Sequence, residues 1–97
     1  MSACELIEIP HQVVQAAGID WGVTIDAYLS DAARVGDRFT ALVYCDLSGA
    51  SSDGMTVVTP KVRTVGEKDG YTLVQSMTGH DHYVIVSELL HDAAGEL

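Results

Sequence analysis

The sequence predicts an α+β fold: an antiparallel meander sheet of four to five strands, with one or two short helices on one face. A half-closed small barrel is the main variant. Two observations carry this prediction: signals for helices fall in the first third of the chain, and from residue 37 onward the chain is rich in β-forming residues. At 97 residues, 47% of them hydrophobic, the chain is expected to form one domain, 1–97, around one core.

The first elements predicted are a strand and a short helix. Residues 4–9 favour a strand, although their alternation of apolar and polar residues is imperfect. Pro10 suits the first position of a helix, because its fixed φ is compatible with a helix and its missing N–H is not needed there. A helix of about two turns is therefore expected over 11–17, with Gly18 as a left-handed C-cap.

Residues 23–35 can be interpreted in two ways. Helical spacing gives one apolar stripe, followed by the terminator Gly36: Ile25, Tyr28, Leu29, Ala32, Ala33. Strand spacing gives an alternating set: Val23, Ile25, Ala27, Leu29. The helix is favoured because it accounts for more residues, including those at both ends.

The remainder is expected to be sheet. The predicted strands are 39–45, 55–59, 61–65, 71–77 and 82–87. The first of these is apolar on both faces and is expected to be central. Residues 47–54 indicate a flexible loop, and Pro60 indicates an edge or bulge position. Asp69-Gly70 is a strong hairpin signal, and a closing helical turn is expected over 88–94.

The charge balance excludes some classes of function. Fourteen acidic residues against five basic ones give a net charge of −9. Such a chain is not expected to neutralise nucleic-acid phosphates or to adsorb to an anionic membrane. The N-terminus shows no signal peptide, and no apolar run approaches the roughly 18 residues of a membrane span, so a cytoplasmic location is expected. Cys4 and Cys45 are then expected to be reduced.

No motif argues for an enzyme or a cofactor. Phosphate-binding glycine patterns, GxSxG, HExxH and CxxC are all missing from the sequence. Cys45 lies beside Asp46 in an acidic chain, which disfavours the thiolate that a nucleophile needs. His80 and His82 would share one side of a strand and are weak candidates for metal ligands, with a polar turn as the simpler interpretation.

The acidic surface supplies the candidate binding residues. The predicted contact patch consists of Asp20, Trp21, Asp26 and Asp31, whereas three of the five cations cluster at 61–68. A lone tryptophan between two elements either closes the edge of the core or anchors an interface. Negative charge of this size either maintains solubility or steers the protein to a basic partner.

Residues 8–19, Glu-Ile-Pro-His-Gln-Val-Val-Gln-Ala-Ala-Gly-Ile, resemble the opening of swapped-hairpin transcription factors of the AbrB type and related antitoxins. The resemblance covers about a dozen residues and implies a dimeric regulator. That family surrounds the motif with basic residues that hold DNA, whereas residues 1–33 contain no Lys or Arg.

Together these features favour a non-enzymatic protein that docks on a basic, nucleic-acid-binding surface of a partner protein. An inhibitor, immunity or accessory protein fits this description. The chain has no Asn and only two Lys, a bias typical of GC-rich coding sequences, which suits a bacterial, phage or mobile-element origin. The alternatives are the AbrB-like regulator and a metal-dependent enzyme built on His80 and His82.

Overall fold

A computed structural model describes residues 9–89. In chain order the elements are α1 (His11–Ala17), β1 (Ala27–Val35), β2 (Arg38–Tyr44), β3 (Thr56–Val58), β4 (Val62–Lys68), β5 (Tyr71–Ser76) and β6 (His82–Ile85). The six strands form one sheet in the order β3-β2-β1-β6-β5-β4. The coarse α+β prediction is confirmed, with more strands than expected and one short helix among the described residues.

The sheet is mixed, so the prediction of a purely antiparallel meander is wrong. β1, β2 and β3 form one antiparallel meander, and β4, β5 and β6 form another. The two are joined where β1 and β6 pair in parallel, with Ala27 opposite Tyr83 and Leu29 opposite Ile85. The two centre strands are therefore β1 and β6, and β2 lies next to the short edge strand β3.

The sheet curls without closing into a barrel. β2 and β4 are four places apart in the strand order, about 19 Å in a flat sheet. Nevertheless, the amide of Val62 donates to the carbonyl of Asp37, just before β2, at 2.8 Å. Val62 and Phe39 consequently belong to the same buried cluster, here called the inner cluster. Its buried members are Ala27, Leu29, Ala32, Phe39, Ala41, Val43, Val62, Val74 and Ile85.

The opposite face of the sheet packs against α1. Val13 and Ala16 of the helix join Leu73 and Val84 of the sheet in a second cluster, here called the helix-side cluster. The helix follows Pro10 as predicted, but Gly18 adopts a right-handed conformation with φ of −83°, so the predicted left-handed cap is wrong. The last turn instead closes with a hydrogen bond from the Gly18 amide to the Gln15 carbonyl at 3.1 Å.

The helix favoured for residues 23–35 is wrong, because β1 occupies 27–35. A β-bulge between Ser30 and Ala33 places Asp31 at a positive φ of 53°. The extra residue shifts the alternation of β1 by one, so that Leu29 and Ala32, three positions apart, both face the inner cluster. A spacing of three positions is also typical of one face of a helix, which is why the sequence pattern favoured a helix here.

The other local predictions have mixed outcomes. The loop before β3 and the Asp69-Gly70 turn are confirmed, although β4 extends to Lys68. The strand predicted for 4–9 lies, apart from Ile9, outside the described residues. Glu88 bridges to Ala32, and the rest of the predicted closing turn, from residue 90, also lies outside them.

Candidate binding cleft

A cavity of about 210 Å³ opens at the end of the sheet where β1 and β6 begin and β2 ends. Its apolar walls come from the inner cluster and β3. Its polar lining comes from the residues just before β1 and β6, from the loop between β2 and β3, and from the residue after β3. The lining residues are Asp26, Ala27, Leu29, Val43, Asp46, Ser48, Ser51, Val57, Val58, Thr59, Pro60, Asp81 and Tyr83. We call this cavity the acidic cleft. No Lys or Arg of residues 9–89 lines it.

The parallel strand pair brings Asp26 and Asp81 to the cleft. Asp26 immediately precedes β1 and Asp81 immediately precedes β6. Because parallel strands begin at the same end of a sheet, the two residues lie at that end. The Asp26 amide donates to the His82 carbonyl at 2.8 Å, and the His82 amide donates to Asp26 Oδ2 at 2.8 Å. Asp26 Oδ1 and the Asp81 carboxylate accept no hydrogen bond from the described part of the chain.

Asp46 lines the cleft from the loop after β2. Its Oδ1 accepts hydrogen bonds from the Ser48 amide at 3.0 Å and the Ser48 hydroxyl at 2.8 Å, and its Oδ2 accepts one from the Ser51 amide at 2.9 Å. The Ser48 hydroxyl is the main reason why the pKa of Asp46 is lowered. Asp46 therefore stays negatively charged, but its oxygens are already used to hold the loop.

Tyr83, on β6, has a pKa that is shifted by its burial in the cleft and by the charges there. Burial, followed by the charges of Asp81, Asp26 and Asp46, raises the pKa of the Tyr83 hydroxyl to about 12. The hydroxyl is therefore protonated at neutral pH. Within residues 9–89 this hydroxyl donates to no protein acceptor, so it is available to donate a hydrogen bond. The ring of Tyr83 forms part of the cleft wall.

Only one of the four residues of the predicted patch, Asp26, lines the cleft. Trp21 packs against the helix-side cluster and donates from Nε1 to the Ala16 carbonyl at 3.1 Å. Asp20 Oδ1 caps the Gly22 amide, and its carbonyl accepts from Lys68 Nζ at 2.7 Å. Asp31 is exposed at the bulge of β1, about 16 Å along the strand from Asp26.

The metal and thiol candidates are separated in the fold. His80 is exposed in the turn before β6, and His82 Nε2 lies 3.3 Å from Gln75 Nε2. Among residues 9–89, no three acidic, His or Cys side chains are grouped so that they could hold a metal ion. Cys45 is a free, exposed thiol whose pKa is raised by partial burial and by Asp53, which opposes thiolate formation. Cys4 lies outside the described residues.

Sequence reasoning missed Asp81, Asp46 and Tyr83 as members of one site. Each is separated from Asp26 by twenty or more positions. The antiparallel pairing of β1 with β2 brings Asp46 close to Asp26, and the parallel pairing of β1 with β6 brings Asp81 and Tyr83 there. A pair of Asp residues directly preceding two strands was the available signal. This signal indicates a shared site only when the two strands are known to be parallel.

Comparison with known proteins provides no functional assignment, since the chain matches no family model, no curated protein and no solved structure. Within residues 9–89, the single helix is far too short to span a membrane.

Proposed function

We propose that this is a small, non-enzymatic binding protein that docks on a basic surface of a partner protein, with the acidic cleft at the centre of the contact. An inhibitor, immunity or accessory protein, encoded by a bacterium, a phage or a mobile element, fits this role. The observation that carries the proposal is the cleft itself, where three Asp side chains lie beside apolar walls and no Lys or Arg of residues 9–89 is among the lining residues.

The charge distribution supports the same role. The net charge of −9 favours rapid encounter with a basic patch, because complementary charge increases association rates. Arg63 and Lys68 lie on β4, at the opposite edge of the sheet from β3, and their head groups bond to Gln75 and Asp20. Asp20 and Asp31 then contribute to long-range attraction, whereas Asp26 and Asp81 would be desolvated in the contact.

The test begins with affinity capture of the partner from a bacterial lysate, followed by binding kinetics with the purified partner at low and high salt. Two double variants have the same net charge: Asp26→Asn with Asp81→Asn inside the cleft, and Asp20→Asn with Asp31→Asn outside it. Asn at position 26 can still accept the His82 amide hydrogen, so the cleft variant is expected to keep the fold.

The cleft variant is expected to dissociate at least about tenfold faster, whereas the outer variant is expected to lose only part of the association rate at low salt. The proposal would be overturned by equal effects of the two variants. A partner whose docking surface is acidic, with affinity independent of salt, would also overturn it.

A further inference from the structure

We infer that the acidic cleft binds an arginine side chain of the partner. This inference rests on the proposed docking function and specifies what enters the cleft. The first reason is that the cleft combines charge with apolar area. Val57, Val58 and Pro60 form accessible apolar walls beside the Asp side chains, over a volume of about 210 Å³. A bare ion gains nothing from such walls, whereas the aliphatic stem of a long cationic side chain is stabilised by them.

The second reason is the arrangement of the acceptors. Both oxygens of Asp46 already accept hydrogen bonds within its loop, whereas Asp26 Oδ1 and the Asp81 carboxylate accept none from the described residues. These belong to two chain segments, and no three ligand-type groups of the described residues converge as a metal ion requires. A guanidinium presents five N–H donors in a rigid plane and can bond to two carboxylates at once, whereas an ammonium is a point charge.

The third reason is the side chain of Tyr83. It lines the cleft two positions after Asp81, and the charges of Asp81, Asp26 and Asp46 all act on its hydroxyl. A planar guanidinium can stack on an aromatic ring, a contact that favours arginine over lysine.

The experiment uses three short blocked peptides, glycine-X-glycine amides in which X is arginine, lysine or citrulline. Citrulline has nearly the shape of arginine but no charge. Binding is followed by NMR on the full chain, through the ring resonances of Tyr83 and the amide resonances of Asp26 and Asp81. The arginine peptide is expected to shift these resonances and to bind about tenfold more tightly than the lysine peptide, with no saturable binding of the citrulline peptide.

The variants provide the control. Asp81→Asn is expected to weaken binding of the arginine peptide at least about tenfold. The outer variant, Asp20→Asn with Asp31→Asn, loses more charge and is expected to leave the affinity nearly unchanged. Equal affinity for lysine and arginine, or binding of citrulline, would overturn the inference.

The two proposals can fail separately. If no peptide shifts the Tyr83 resonances while the partner still responds to the cleft variant, the arginine inference is wrong and the docking proposal stands. If the arginine peptide binds in the cleft but the partner is insensitive to the cleft variant, docking through the cleft is wrong.

Discussion

Tyr83 allows the charge of the cleft to be measured at one residue. Its pKa is raised from 10.0 to about 12, first by burial and then by Asp81, Asp26 and Asp46. The folded protein therefore holds the phenolic proton at a pH where the unfolded chain has released it. This contribution to stability is complete below about pH 10 and is lost as the pH rises towards 12.

We expect ultraviolet titration to show a phenolate midpoint near 12 that is lost in Tyr83→Phe. Asp81→Asn should lower that midpoint, because Asp81 makes the largest charge contribution to the raised pKa, whereas Asp20→Asn should not. In urea unfolding, Tyr83→Phe should lose less stability than the wild type between pH 10 and 12. An Asp81→Asn midpoint equal to that of the wild type would contradict the placement of Asp81 beside the hydroxyl.

At the scale of elements, β1 joins the two antiparallel meanders, because it pairs with β2 on one edge and with β6 on the other. Leu29 on this strand is 1% exposed, belongs to the inner cluster and forms part of the cleft wall. Leu29→Ala should lower the free energy of unfolding by about 2–5 kcal/mol, since the rigid sheet cannot collapse onto the lost volume.

Leu47→Ala is the matched control for this prediction, because Leu47 is 64% exposed in the loop after β2. It should change the free energy of unfolding by less than about 0.5 kcal/mol. Urea denaturation of both variants gives the comparison. Similar losses in the two variants would show that Leu29 does not occupy the core.

How far the sequence predicts these elements depends on how local their causes are. The Asp69-Gly70 turn was predictable, because both residues adopt positive φ values, 53° and 85°, which those residue types favour. The helix after Pro10 was equally local. By contrast, the bulge at Asp31 interrupts the apolar-polar alternation that would have predicted β1. The Asp31 amide donates to Ser87 Oγ, 56 positions away, which is not a local interaction. The acidic cleft depends on the parallel strand pair and could not be predicted from local pattern.

At the scale of the whole molecule, the inner cluster and the helix-side cluster are each formed within one chain, and each described strand pairs with at least one other strand of that chain. We therefore expect a folded monomer of 10.3 kDa by size-exclusion chromatography with light scattering. The AbrB-like alternative requires a swapped-hairpin dimer with no stable folded monomer. A dimer that persists on dilution until the chain unfolds would contradict our expectation and favour that regulator.

The parallel pairing of β1 with β6 also affects how the protein is made. Asp26 and His82, which bond to each other, are 56 positions apart, and β6 ends only at Ile85. During synthesis β1 lacks its second neighbour until almost the whole described chain has left the ribosome. The first meander alone completes neither cluster, so we expect folding to wait for β6 and to be limited by closure of this long loop.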